Sequence, residues 1–150
     1  MFKKILVPLD CSKYAETSLN VAIEIAKKFN GSLSLIHVVS SPKEYCRSGI
    51  TGKILIKCKI DKITEEEIPK ICNELLDTSK KTVIAKGVTV HTILKQGKVV
   101  EEILNTIKER EIDLVVMGSR GQNVIKKLFL GSVSSGVVKE AICPVLLTRK

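Results

Sequence analysis

A chain of 150 residues, 44% hydrophobic and 27% charged, is sized for one domain with a substantial core and is ordinary in composition for a globular protein. No apolar run approaches the ~18–20 residues that span a bilayer, and Met1-Phe2-Lys3-Lys4-Ile5 enters a short strand instead of a signal-peptide core, so a cytoplasmic protein without a membrane segment is expected. The net charge of +9 favours anionic partners, but two Tyr, three Phe and no Trp are few stacking side chains for a nucleic-acid binder, which is not expected.

Lys3–Leu9 (KKILVPL) is a compact apolar run suited to a strand buried on both faces. Ser12 is a good N-cap for the following segment, in which Ala15, Leu19, Ala22, Ile23 and Ala26 share one helical face. Asn30-Gly31 should end that helix, the glycine accepting the left-handed conformation. Ser32–Val39 (SLSLIHVV) reads as the second strand. Residues 40–61 are the least patterned stretch and read as a loop, with a short ordered piece around 53–60.

The next helix runs to Ala85 with Ile68, Ile71, Cys72, Leu75 and Leu76 inward, and its start has two signals. Thr64 with Glu67 forms a capping box, whereas Pro69 favours the first helical position. Gly87 precedes a third strand, Val88–Lys95, and Gly97 leads into a helix from Lys98 to Glu109 with Val99, Val100, Ile103, Leu104 and Ile107 as its stripe. Asp113–Met117 (DLVVM) is strand four, Gly131–Ala141 the last helix, and Cys143–Thr148 the last strand. This βαβαβαβαβ order gives an α/β fold: one open, five-stranded parallel sheet with helices on both faces, spanning residues 1–150 as a single domain. Ligands of such sheets bind beyond the carboxyl ends of the strands, where Asp10, Val38 and Gly118 fall.

Directly after strand four the chain reads Gly118-Ser119-Arg120-Gly121, then nine residues, then Gly131-Ser132-Val133-Ser134. Glycines there let an anion approach the backbone, and a helix opening at Ser132 offers unpaired N–H groups with a partial positive charge. That combination points to the phosphates of a nucleotide. The plain alternatives are a tight turn at Gly118 and Gly121, a helix cap at Asp10, ordinary helix-start serines at 132, 134 and 135, and a solvated basic face at Lys126 and Lys127. Ser48–Lys53 lacks the spacing of a phosphate loop. His37 and His91 lie in strands without partners for a metal or a general base, and are read as structural. Five cysteines at irregular spacing, with no CxxC, read as free thiols.

The G-x2-G-x9-G-S run at Gly118, Gly121, Gly131 and Ser132 resembles the signature of the universal stress protein family. Val7-Pro8-Leu9-Asp10-Cys11-Ser12, Leu35-Ile36-His37-Val38-Val39 and Cys143-Pro144-Val145-Leu146-Leu147 resemble its first, second and last strands. The resemblance covers nearly the whole chain. It implies a Rossmann-like sheet of the adenine nucleotide alpha hydrolase type, with strand order 3-2-1-4-5. It implies ATP as ligand, with Asp10 on the ribose, Val38 on the adenine through its backbone, and Pro8 and Met117 as walls. Gly118, Gly121, Gly131, Ser132, Val133 and Ser134 would then surround the phosphates, the hydroxyls of Ser132 and Ser134 adding donors, and Mg²⁺ would bridge phosphate oxygens. A homodimer through the C-terminal edge strand is also implied.

No carboxylate or Gln is evidently placed to orient water at a γ-phosphate, so no catalytic residue is assigned and at most slow hydrolysis is expected. The expected function is a nucleotide-dependent regulatory or stress-response module. A slow ATPase or nucleotidyl transferase, and an interaction or chaperone-like module that binds no nucleotide, are the alternatives.

Overall fold

The computed structural model describes residues 1–10, 12–41, 64–120 and 130–149. Five strands, β1 (Lys4–Pro8), β2 (Ser32–Val39), β3 (Thr89–Gln96), β4 (Leu114–Gly118) and β5 (Val145–Thr148), form one parallel sheet. Their order is β3-β2-β1-β4-β5, as the resemblance implied. Among the described residues the helices are α1 (Lys13–Phe29), α2 (Ile68–Ala85), α3 (Val99–Glu109) and α4 (Ser132–Glu140).

Because successive strand residues face opposite ways, the apolar strands fill two separate cores. Ile5, Val7, Leu33, Leu35, Leu114 and Val116 meet Leu19, Ala22, Ile23 and Ala26 of α1 and Leu76 and Val83 of α2. Leu6, Ile36, Ile93, Val115 and Met117 meet Ile103 and Ile107 of α3 and Val137 of α4. The helices therefore lie on both faces.

The element boundaries follow local chemistry. Ser12 caps α1 by accepting from the Ala15 N–H at 3.1 Å. At the other end Asn30, not Gly31, takes the left-handed conformation (φ 50, ψ 47). Asn tolerates that region, and Gly31 is needed for a different reason: a Cβ there would stand 2.5 Å from the Phe2 carbonyl oxygen. Both start signals of α2 are used. Thr64 donates its N–H and its hydroxyl to the Glu67 carboxylate, at 2.9 and 3.0 Å, closing a turn that hands over to a helix with Pro at its first positions. Those two bonds hold the exposed Glu67 carboxyl below its ordinary pKa. Strand β4 starts one residue later than expected because Asp113 turns its carboxylate to the N–H groups of Lys3 (2.7 Å) and Lys4 (3.1 Å). This joins the amino ends of β1 and β4.

The ordered piece expected near 53–60, most of the loop 40–61, and Cys11, Cys46, Cys58, Gly121, Lys126 and Lys127 lie outside the described residues. Cys72 is buried and Cys143 half-buried.

Candidate functional site

β1 and β4 are neighbours, so the structure brings Pro8 and Asp10 to the same edge as Met117 and Gly118. Val38 lies in β2 on the other side of β1, also at the carboxyl end. Pro8, Asp10, Val38 and Gly118 are half-buried and Met117 is buried. Asp10 does not cap α1. Its Oδ1 accepts from the Ser12 N–H at 3.0 Å, fixing the turn that carries the chain from β1 into the helix.

The second half of the motif is built around the peptide of Ser119. Its N–H donates to the Thr148 carbonyl of β5 at 2.9 Å. Its carbonyl accepts from the Gly131 N–H at 2.9 Å and from the Ser134 hydroxyl at 2.9 Å. The Ser134 hydroxyl also approaches the Gly131 carbonyl at 3.0 Å and is buried. The Gly131 N–H and the Ser134 hydroxyl proton serve the junction between β4 and α4. Their work is to fix where α4 begins.

What that junction presents is the start of α4. Gly131 is its N-cap with extended backbone (φ −64, ψ 157), and the first α-helical bond runs from the Ser135 N–H to the Gly131 carbonyl. The N–H groups of Ser132, Val133 and Ser134 therefore have no acceptor four residues back. Ser132 is exposed and Val133 half-buried. These three backbone donors, with the partial charge of the helix end, form the anion-attracting part of the described motif.

Gly118 has a packing reason of its own. A Cβ built on it would lie 2.7 Å from the Tyr14 Cβ and 3.1 Å from the Arg120 carbonyl oxygen. Neither Gly118 nor Gly131 has positive φ, so the freedom expected of these glycines is not what the described backbone uses. Close approach of α1 is what requires glycine at 118.

Sequence reasoning passed over three residues that organise this edge. Ser119 acts through its main chain, which leaves no side-chain signal. Ser18 and Thr148 are buried on opposite elements, with their hydroxyl oxygens 2.8 Å apart. Ser18 also donates to the Tyr14 carbonyl at 2.8 Å, and the Thr148 hydroxyl faces the Met117 carbonyl at 3.5 Å. The result ties α1 to β5 directly below the glycine motif.

His37 is buried, and its Nδ1 lies 2.6 Å from the Leu9 carbonyl oxygen. A carbonyl only accepts, so Nδ1 carries the proton. Burial pushes the His37 pKa below its ordinary 6.5, against smaller upward effects from the Leu9 carbonyl and the Asp10 charge. The unfolded chain thus binds a proton that the folded chain resists. Stability contributed by the neutral imidazole is complete above pH ~6.5 and is lost as the pH falls through the lower folded-state value. Urea unfolding across that range is expected to show a fall of at most about 1.4 kcal/mol per pH unit from this proton, absent in His37→Asn.

Comparison with known proteins places the chain. The model of the universal stress protein family matches residues 1–149. The chain belongs to the universal stress protein family. The universal stress protein YxiE of Bacillus subtilis is 37% identical over 150 residues, covering 99% of this chain and all of the relative. The solved structure of protein MJ0577 is 31% identical, with a TM-score of 0.75 over 100% of this chain and 98% of that one; MJ0577 is a universal stress protein of Methanocaldococcus jannaschii. A universal stress protein from Archaeoglobus fulgidus, solved in complex with dAMP, shares the fold at 18% identity and a TM-score of 0.68, covering 99% and 98% of the two chains. Among the described residues no helix is long and apolar enough to cross a membrane.

Proposed function

We propose that this universal stress protein is an ATP-binding regulatory module whose nucleotide occupancy stabilises one state of the domain. The observation that carries the reading is the exposed start of α4, held by Ser119 at the carboxyl edge beside Gly118 with three backbone N–H groups at its tip. A polyphosphate suits such a terminus, because each oxygen accepts from a backbone donor and the helix end favours negative charge. Asp10 would hold the ribose hydroxyls, the Val38 backbone the base, and Pro8 and Met117 the walls, with Gly118, Gly121, Gly131, Ser132, Val133 and Ser134 around the phosphates. Mg²⁺ would be held through phosphate oxygens and its own waters. The A. fulgidus relative bound to dAMP supports an adenine nucleotide as the class of ligand.

On this reading the domain spans residues 1–150, works in the cytoplasm and hydrolyses ATP slowly if at all. Five cysteines at irregular spacing suit a reducing compartment. A homodimer through β5 is part of the same proposal. Leu146 in that edge strand is 38% exposed and Ile142 just before it 72%, an apolar edge of the kind that pairs with a second copy. Light scattering is expected to give twice the 16.5 kDa chain mass, and a monomer at micromolar concentration would remove the dimer.

The deciding measurement is thermal unfolding of nucleotide-stripped protein with and without 1 mM Mg-ATP. With Kd near 10 μM, binding adds about 2.7 kcal/mol, a rise of several degrees in Tm. A second reading, an interaction module without a nucleotide, draws on one observation: packing against Tyr14 already accounts for Gly118. An unchanged Tm, with no nucleotide released on stripping, would select it.

A further inference from the structure

The β1–β2 ladder ends at Pro8 opposite Ile36, and one more bond follows, from the Leu9 N–H to the Ile36 carbonyl at 2.8 Å. In a regular parallel ladder the next bond would run from the Val38 N–H back to the Leu9 carbonyl. That rung is missing from the register. The Leu9 carbonyl instead accepts from His37 Nδ1 at 2.6 Å, so a side chain of β2 has taken the place of a backbone donor of β2.

The direction of the Val38 peptide groups follows from its neighbours. The Ile36 carbonyl points to β1, and the Val39 carbonyl points to β3, where it accepts from the Gly97 N–H at 3.0 Å. Alternate residues of a strand face the same side, so the N–H and carbonyl of Val38 point toward β1, past the last β1 rung. No β1 residue pairs with Val38 among the described residues. Continuing the register, Val38 stands opposite Asp10 at the carboxyl end of the sheet.

We propose that His37 is a positioning residue for base recognition: by drawing the Leu9 carbonyl to its Nδ1 and out of line with the rungs, it keeps the Val38 peptide out of the β1–β2 ladder and leaves it to the edge of a purine base. The inference rests on the nucleotide reading above and adds to it the means by which the base half of the site is kept open. An adenine edge carries both an acceptor nitrogen and an amino donor, matching one N–H and one carbonyl on the same side of a strand. Without the imidazole, the Leu9 carbonyl and the Val38 N–H would satisfy each other, and the ladder would close by one rung.

The test uses the full chain with His37→Leu, which removes the donor, and His37→Asn, whose amide reproduces the Nδ1 position. Calorimetry with adenosine and with tripolyphosphate separates the base half from the phosphate half. His37→Leu is expected to weaken adenosine at least tenfold, to leave tripolyphosphate within twofold, and to be rescued by His37→Asn. In ligand-free protein, exchange of the Val38 amide with deuterium is expected to slow at least tenfold in His37→Leu. An unchanged adenosine affinity, equal losses for both probes, or an unchanged Val38 exchange rate would overturn the proposal. Wild-type protein that binds neither probe sinks the nucleotide reading instead, while the exchange experiment still decides whether His37 controls the ladder. Should His37→Leu not fold, His37→Gln replaces it, its amide one bond too long to stand in for Nδ1.

Discussion

Gly118→Ala is expected to lower the unfolding free energy by about 3 kcal/mol, the upper end of what overpacking by one methyl group costs. The added Cβ would meet the Tyr14 Cβ at 2.7 Å and the Arg120 carbonyl oxygen at 3.1 Å, and the backbone carbon of Tyr14 at 3.3 Å. None of these is the far end of a flexible side chain. Relief requires α1 to move off β4, and α1 is bound at that level to β5 through the Ser18–Thr148 hydroxyl pair. The strain therefore cannot be relaxed locally. Urea unfolding with a constant m-value measures the loss. A change below 0.5 kcal/mol would mean that α1 yields easily, and that Gly118 is glycine for the sake of a ligand alone.

The consequence reaches beyond stability. Gly118 is the residue of the motif that invites substitution first as a nucleotide-binding knockout. Loss of ATP binding in such a variant would not distinguish a blocked site from a displaced helix. The same holds for Ser134→Ala, because that hydroxyl is buried and fixes the Ser119 carbonyl against α4. Binding and folding share these residues, so only a change that acts on the exposed tip of α4 separates them.

The fold was legible in the sequence to the extent that it depends on period and punctuation. The apolar runs of β1, β2 and β4 belong to strands covered on both faces, and α1 announces itself through Ala15, Leu19, Ala22, Ile23 and Ala26, all of them buried. What escaped was chemistry that runs through the main chain or across long separations. Ser119 organises the motif with its N–H and carbonyl, which any residue type would supply. Ser18 and Thr148 are 130 positions apart, and nothing in either local pattern marks them as partners. Asn30 took the left-handed position assigned to Gly31 because the two neighbours have different constraints, one conformational and one of space. The serines at 132 and 134 look equivalent in sequence. Helix geometry separates them, one exposed at the tip and one turned into the junction. His37, flanked by apolar residues, reads as filler until the missing ladder rung beside it is seen.

The sharper test of the anion site is Ser132→Pro, expected to weaken ATP by ten- to a hundredfold while leaving stability nearly unchanged. Proline is tolerated at the first helical position, where its missing N–H had no intrahelical acceptor and its fixed φ already suits the helix. The residue before a proline must be extended, and Gly131 is, at φ −64 and ψ 157. Ser132 is exposed, so the ring meets solvent. The substitution thus deletes one backbone donor from the tip of α4 without asking the chain to move. A hydrogen bond to a charged oxygen is worth about 1.5–3 kcal/mol, which sets the expected factor. Ser132→Ala is the necessary companion, since it removes the hydroxyl and keeps the N–H. If the backbone donor carries the binding, the alanine variant stays within about threefold of the wild type and the proline variant does not. Equal losses would assign the contact to the hydroxyl. ATP affinity unaltered in both variants, with Tm unchanged, would show that the nucleotide is held without the start of α4, and the phosphate site would have to be sought elsewhere on the carboxyl edge.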